Sequence, residues 1–155
     1  MVIEYMKLTR NRARINEQHC YYRNGMASGA HIMQLMEDAA MELSIMDSGD
    51  EGLLAGYERV EFYHSLYSGD YVEVAAWFSK IGNKSRRVEL EVYKVIEAVQ
   101  GSDSASNILE SPLLVARATL IGVLPKGRDR GMQVKEKDYP FIDANGENWW
   151  EEKNE

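Results

Sequence analysis

Two carboxylates four residues apart, Asp38 and Glu42, sit in a stretch otherwise rich in Ala, Leu, Ile and Met. At about 100° per helical residue they share one side with Gln34 and His31, within an arc of roughly 80° for the three residues 34, 38 and 42. Glu37 points well away from them. Ionisable groups on an apolar helix must be solvated, paired or used. Acids this close repel, so one pKa rises while the other group stays ionised, giving a proton acceptor beside a persistent anion. The stripe also fits the wet side of an amphipathic helix, and Leu35 in the same sector keeps it from being cleanly polar.

The element that carries these groups spans about Met26 to Met46. It lacks proline and is rich in good helix formers, and its apolar residues fall on nearly every side, which predicts a helix buried on most faces. Ser28 is a good cap, Gly29 permits close approach to the backbone, and Gly49 is the expected stop. Before the helix, residues from about Lys7 to Glu17 read as an early, highly charged strand, and Asn24-Gly25 as a turn. After it, alternation over G-L-L-A-G-Y-E-R-V-E-F, Y-V-E-V-A-A-W-F-S-K-I and R-R-V-E-L-E-V-Y-K-V-I predicts three strands. A fourth follows Pro112. Turns at Ser68-Gly69-Asp70 and Gly82-Asn83 suggest antiparallel pairing, hence one strand, one helix, then a four-strand meander. A sheet curled around the helix buries it best, which is the α+β hotdog arrangement. Residues 1–125 are expected to form that domain, and 126–155 read as a charged, extended tail whose Trp149-Trp150 pair is a candidate for docking on the body or on a neighbouring subunit.

Composition narrows the function. With 155 residues, one domain is expected, and 18 Lys and Arg against 25 Asp and Glu give a net charge of −7. That balance argues against nucleic acid as the main partner but allows one phosphorylated ligand on a local basic patch. Cys20 is the single cysteine, so no intrachain disulfide forms, and no two histidines have metal-ligand spacing. No metal is expected. Nor is a membrane span or leader, which makes the cytoplasm the expected address.

Several blocks together resemble the hotdog-fold β-aminoacyl-CoA ammonia-lyases, the 3-aminobutyryl-CoA and β-alanyl-CoA enzymes of amino-acid fermentation of the lysine type. They are G-A-H-I at 29–32, Asp38 with E-L at 42–43, G-Y-E-R-V-E-F at 56–62 and Y-S-G-D at 67–70. K-I-G-N-K-S at 80–85, E-V-Y-K-V at 91–95 and E-S-P-L-L-V-A-R-A-T at 110–119 complete the set. The likeness runs from about Tyr22 to Lys126. The chain departs from the family pattern at His31, where Arg is usual, over His19-Cys20-Tyr21-Tyr22, where Asp-Ala-His-Tyr is usual, and at Ser28, where Asn or Asp is usual.

The resemblance implies removal of ammonia from, or its addition to, a CoA thioester such as the 3-aminobutyryl-CoA and crotonyl-CoA pair. Such a reaction needs a base, donors for the enolate oxygen, and an anion for the ammonium. It implies a thioester at the helix N-terminus, held by Gly29 and Ala30 with His31 and Gln34 nearby. Asp38 and Glu42 then divide the roles of base and ammonium holder in an order left open, with Glu61 of the V-E-F block a third candidate. Lys84, Arg86 and Arg87, beside the Gly82-Asn83 turn, and Arg117 are the candidates for the CoA phosphates. No separate cofactor is implied, coenzyme A being part of the substrate. Subunits of this fold pair at the active site, so a homodimer is the minimum, with tetramers or hexamers as larger assemblies. An acyl-CoA thioesterase, which needs one carboxylate, and a non-catalytic acyl-CoA-binding module are the alternatives. A hydratase is weaker, lacking its expected Asp-and-His loop.

Overall fold

A computed structural model describes residues 9–133 of the chain. The sequence expectations for Trp149-Trp150 and the rest of the tail beyond residue 133 lie outside the described residues. The elements are β1 (Thr9–Arg14), α1 (Gly29–Ser48), β2 (Leu53–Phe62), β3 (Tyr71–Ile81), β4 (Ser85–Ala98) and β5 (Ser106–Val123), with a 3₁₀ turn at Glu17–His19. One five-stranded sheet has the order β1-β3-β4-β5-β2, antiparallel throughout.

The four-strand meander is therefore corrected. β3, β4 and β5 are consecutive neighbours, but β2 pairs only with β5 and lies at the edge opposite β1. The link from Tyr63 to Asp70 is long enough to leave that edge and cross the sheet, whereas Gly82-Asn83-Lys84 is a tight hairpin that forces β3 and β4 together. β5 also starts earlier than expected. Pro112 falls where the β4 register jumps from Lys94↔Leu113 to Ile96↔Ile108, so its missing N–H breaks no ladder bond.

α1 lies over β1, β3, β4 and β5. Ile32, Met36, Ala39 and Leu43 recur at helical spacing and are buried against Val72, Val74, Ala76, Phe78, Leu90 and Val92. In the single subunit that sheet covers one side of the helix. Gln34, Asp38 and Ile45 on the other side are exposed, so burial on most faces holds only for the sheet-facing half.

Both helix ends are closed by specific groups. Ser28 Oγ accepts from Ala30 N at 3.1 Å, and Gly49, at φ 69°, occupies the left-handed conformation that ends the last turn, its N–H bonding Ile45 O at 2.8 Å. The segment after β5 returns to this end. Arg130 N donates to Ser48 O at 2.8 Å, Gln133 N to Met46 O at 2.9 Å, and Arg130 Nη1 to Gly49 O at 3.2 Å. These donors satisfy carbonyls that a helix C-terminus leaves unpaired, and a guanidinium there opposes its negative partial charge. Arg130 and Gln133 thus tie the segment after β5 to the helix end.

The Y-S-G-D block turns the chain into β3. Gly69 has φ 92°, and the buried Asp70 carboxylate accepts from Tyr67 N at 2.8 Å and Ala98 N at 2.9 Å, with Lys94 Nζ 3.6 Å away.

Candidate active site

At the start of α1 one donor is left over. Ser28 Oγ takes the Ala30 amide, and Ser28 O takes those of His31 at 3.0 Å and Ile32 at 3.2 Å. Among the described residues the Gly29 amide has no acceptor. Of the expected pair of oxyanion donors, Ala30 is committed to the cap and Gly29 is available. A cavity of about 410 Å³ opens here, lined in part by Tyr22, Met26, Gly29, Ile32, Phe62 and His64. A Cβ on Gly29 would stand 3.2 Å from Phe62 Cζ, so glycine at this position admits the Phe62 ring over the first turn. An unpaired N–H at the positive end of a 20-residue helix, facing a cavity, suits a developing negative charge.

The structure separates the acids grouped by the helical wheel. Asp38 and Gln34 are exposed on the outer face. Glu42 is half-buried toward β1. Burial raises its pKa, and the Asn11 side chain offsets part of the rise. Neither acid lines the cavity beside Gly29. Glu37, set aside on the wheel, faces a second cavity, of about 180 Å³, between α1 and the ends of β2, β4 and β5. Ala40, Phe78, Leu120 and Val123 make that cleft largely apolar. Tyr57, from β2, donates to Met33 O at 3.1 Å, and its phenol is pushed up to about 12 by burial and then by the Glu37 charge. Glu37 shares that face of α1 with Ala40, Met41 and Ser44, at helical spacing.

Glu61 lies on the other face of the sheet. Strand alternation sets it opposite Phe62, away from α1, where Arg59 Nε and Nη2 bond its two oxygens at 2.7 and 3.0 Å and Tyr63 Oη donates to it. Those bonds, Arg59 first, hold its carboxyl down to about 2. It is an anion across the working pH range and a poor proton acceptor as arranged.

The basic residues near the hairpin do not converge. Arg86 faces inward, its Nη1 donating to Gly82 O at 3.0 Å, with Asp47 3.9 Å away at the far end of α1. Arg87, on the opposite face, pairs with Glu58 at 2.9 Å, and Arg117 with Glu91 at 3.2 Å. Asn83 and Lys84 are exposed at the tip. His31 does not line the cavity beside Gly29. Its ring stacks on His19, and burial followed by the neighbouring His19 lowers its pKa. Two of the positions that depart from the family pattern are thus in contact. Among the described residues no three His, Cys, Asp or Glu gather where they could hold a metal ion, and no helix is long and apolar enough to cross a membrane.

Residues 24–99 match the thioesterase superfamily. The chain is 41% identical over 118 residues to the 3-aminobutyryl-CoA ammonia lyase of Acetoanaerobium sticklandii, covering 76% of this chain and 94% of that protein. Its structure is similar to that of β-alanyl-CoA:ammonia lyase from Clostridium propionicum, with a TM-score of 0.77 at 29% identity over 81% of this chain and 90% of the other. A hexameric thioesterase from Yersinia pestis shares the fold, with a TM-score of 0.62 at 17% identity over 80% of this chain and 93% of that one.

Proposed function

We propose, from the premise that this chain belongs to the hotdog-fold family of the 3-aminobutyryl-CoA ammonia lyases, that it is a carbon–nitrogen lyase acting on a β-aminoacyl-CoA. The substrate pair is 3-aminobutyryl-CoA and crotonyl-CoA. In the elimination direction a base takes a proton from the carbon beside the thioester carbonyl. The C–H electron pair becomes the C=C bond, the C–N pair leaves with nitrogen as ammonia, and ammonia takes up the released proton. Negative charge collects on the thioester oxygen meanwhile. The observation that carries the reading is the unpaired Gly29 amide at the positive helix end, opening on a cavity.

Glu37 is the proposed proton acceptor. It stands eight residues beyond Gly29, about 12 Å along the axis, too far to serve one acyl group within a single subunit. A homodimer removes the difficulty. β2 pairs on one side only, and its other edge, with Leu53, Leu54 and Phe62 exposed, is the kind of edge that must be covered. Antiparallel pairing of two β2 edges sets the Phe62 end of one subunit beside the Leu53 end of the other. The Gly29 cavity of one then meets the Glu37 cleft of its partner. Ammonium is the second substrate in the addition direction, and Lys84 is the hairpin cation proposed for the CoA phosphates.

Crotonyl-CoA incubated with ammonium should yield the β-amino thioester by mass, with the CoA thiol still esterified. Release of CoA thiol without that adduct would select the thioesterase alternative.

A further inference from the structure

The imidazoles of His19 and His31 lie with centroids 3.5 Å apart and planes 12° from parallel. His19 belongs to the 3₁₀ turn and His31 to the first turn of α1, so the stack fastens two segments that meet at the helix N-terminus. His19 fastens them a second time. Its carbonyl accepts the amide of Ser28 at 2.9 Å, and Ser28 caps the helix directly ahead of Gly29.

We propose that His19 and His31 are positioning residues, a stacked pair that fixes the Ser28 cap and through it aims the Gly29 amide at the thioester oxygen. The proposal rests on the lyase reading of the Gly29 cavity. Neither ring needs to touch substrate. The path runs from the His31 ring to the His19 ring, along the His19 backbone to Ser28, and across one peptide to Gly29.

The surroundings of the stack disfavour a charge on His31. Asn16 N donates to His19 Nδ1 at 3.4 Å, which requires a lone pair on that nitrogen. His31 Nε2 is enclosed and has no hydrogen-bond partner. The groups acting on His31 are His19 across the stack, which opposes a charge, and Gln34 and Asp38 on its own helix, which favour one. Burial outweighs them and keeps the ring neutral. Protonating His31 therefore sets a charge against the face of His19 and loosens the stack.

The test compares wild type with His31→Phe, which keeps a flat ring on His19 without a titrating nitrogen, and with His31→Ala, which removes the stack. The Gly29 amide resonance is followed from pH 8 to pH 5 beside kcat and KM for crotonyl-CoA amination. In wild type the resonance should move as His31 charges, and kcat should fall about tenfold below the ordinary histidine range near pH 6.5 while KM changes little. His31→Phe should hold its kcat to lower pH, and His31→Ala should lose about tenfold in kcat at every pH. A Gly29 resonance that neither moves with pH nor differs in His31→Ala would overturn the proposal. A protein with no lyase turnover whose Gly29 resonance still follows His31 would retain the positioning pair and remove the lyase reading.

Discussion

Glu37, Asp38 and Glu42 show how much a side chain's chemistry depends on the degrees that separate neighbours on a helix. Asp38 meets solvent, Glu42 leans on β1, and Glu37, 100° round from Asp38, meets the cleft. Glu37→Gln should lower kcat by about 10²–10⁴-fold, the usual contribution of a positioned base, while Asp38→Asn stays within a few-fold of wild type in the same ammonia-addition assay. The opposite ranking would return the role to the outer stripe. Glu42 carries a different expectation. Its folded pKa is raised above 4.5, so the folded protein holds that proton more tightly than the unfolded chain does. The stability it contributes is complete below about pH 4.5 and is lost as pH rises through the raised value. Glu42→Gln should therefore raise the Tm at pH 7 and leave it nearly unchanged at pH 4, as thermal melts at the two pH values will show. The family was legible in the blocks from G-A-H-I onward, and the start of α1 in Ser28 and Gly29. The choice among three adjacent acids was not, because a helical wheel gives relative angles and is silent on which side meets a sheet, a cleft or water.

At the level of elements, short-range signals carried what they physically determine. Ser28 and Gly49 bound α1 because a hydroxyl cap and a left-handed glycine act within a turn of the helix. The Gly82-Asn83 hairpin set β3 beside β4 for the same reason. The partner of β2 was beyond such signals, since alternation marks a strand without saying which strand lies next to it. The Y-S-G-D block had a similar ambiguity, reading as a turn while concealing a buried acid that ties the link after β2 to the end of β4. Asp70→Ala strips the acceptor from two backbone N–H groups and leaves Lys94, with 5% of its side chain exposed, facing only Glu97. The expected cost is about 3–5 kcal/mol, measured by urea unfolding, with Asp70→Asn costing less because one acceptor oxygen survives. Equal stability of Asp70→Ala and wild type would mean that the turn is held by Gly69 alone.

For the whole molecule, the open edge of β2 decides whether either cavity is complete. If each site joins one subunit's Gly29 amide to its partner's Glu37, two differently disabled subunits can repair each other. Gly29→Pro is the appropriate first lesion. Proline suits the first helical position, Ser28 already has the extended φ −63° and ψ 136° that a following proline favours, and the amide proton is lost, while the added Cβ, 3.2 Å from Phe62 Cζ, makes that ring shift slightly within the same half of the site. Glu37→Gln supplies the second. Each variant alone should be nearly inactive. Mixed in equal amounts under conditions that exchange subunits, half of the dimers are hybrids, and each hybrid carries one site with both lesions and one with neither. Activity should return to about a quarter of wild type. Were both groups to act within one subunit, every site would keep one lesion and mixing would restore nothing. Size-exclusion chromatography of Leu54→Glu, which sets a charge on the edge strand, adds the structural control: a monomer that keeps its far-ultraviolet spectrum shows that the subunits pair along β2, with turnover left to the mixing experiment because Leu54 also lines the Glu37 cleft.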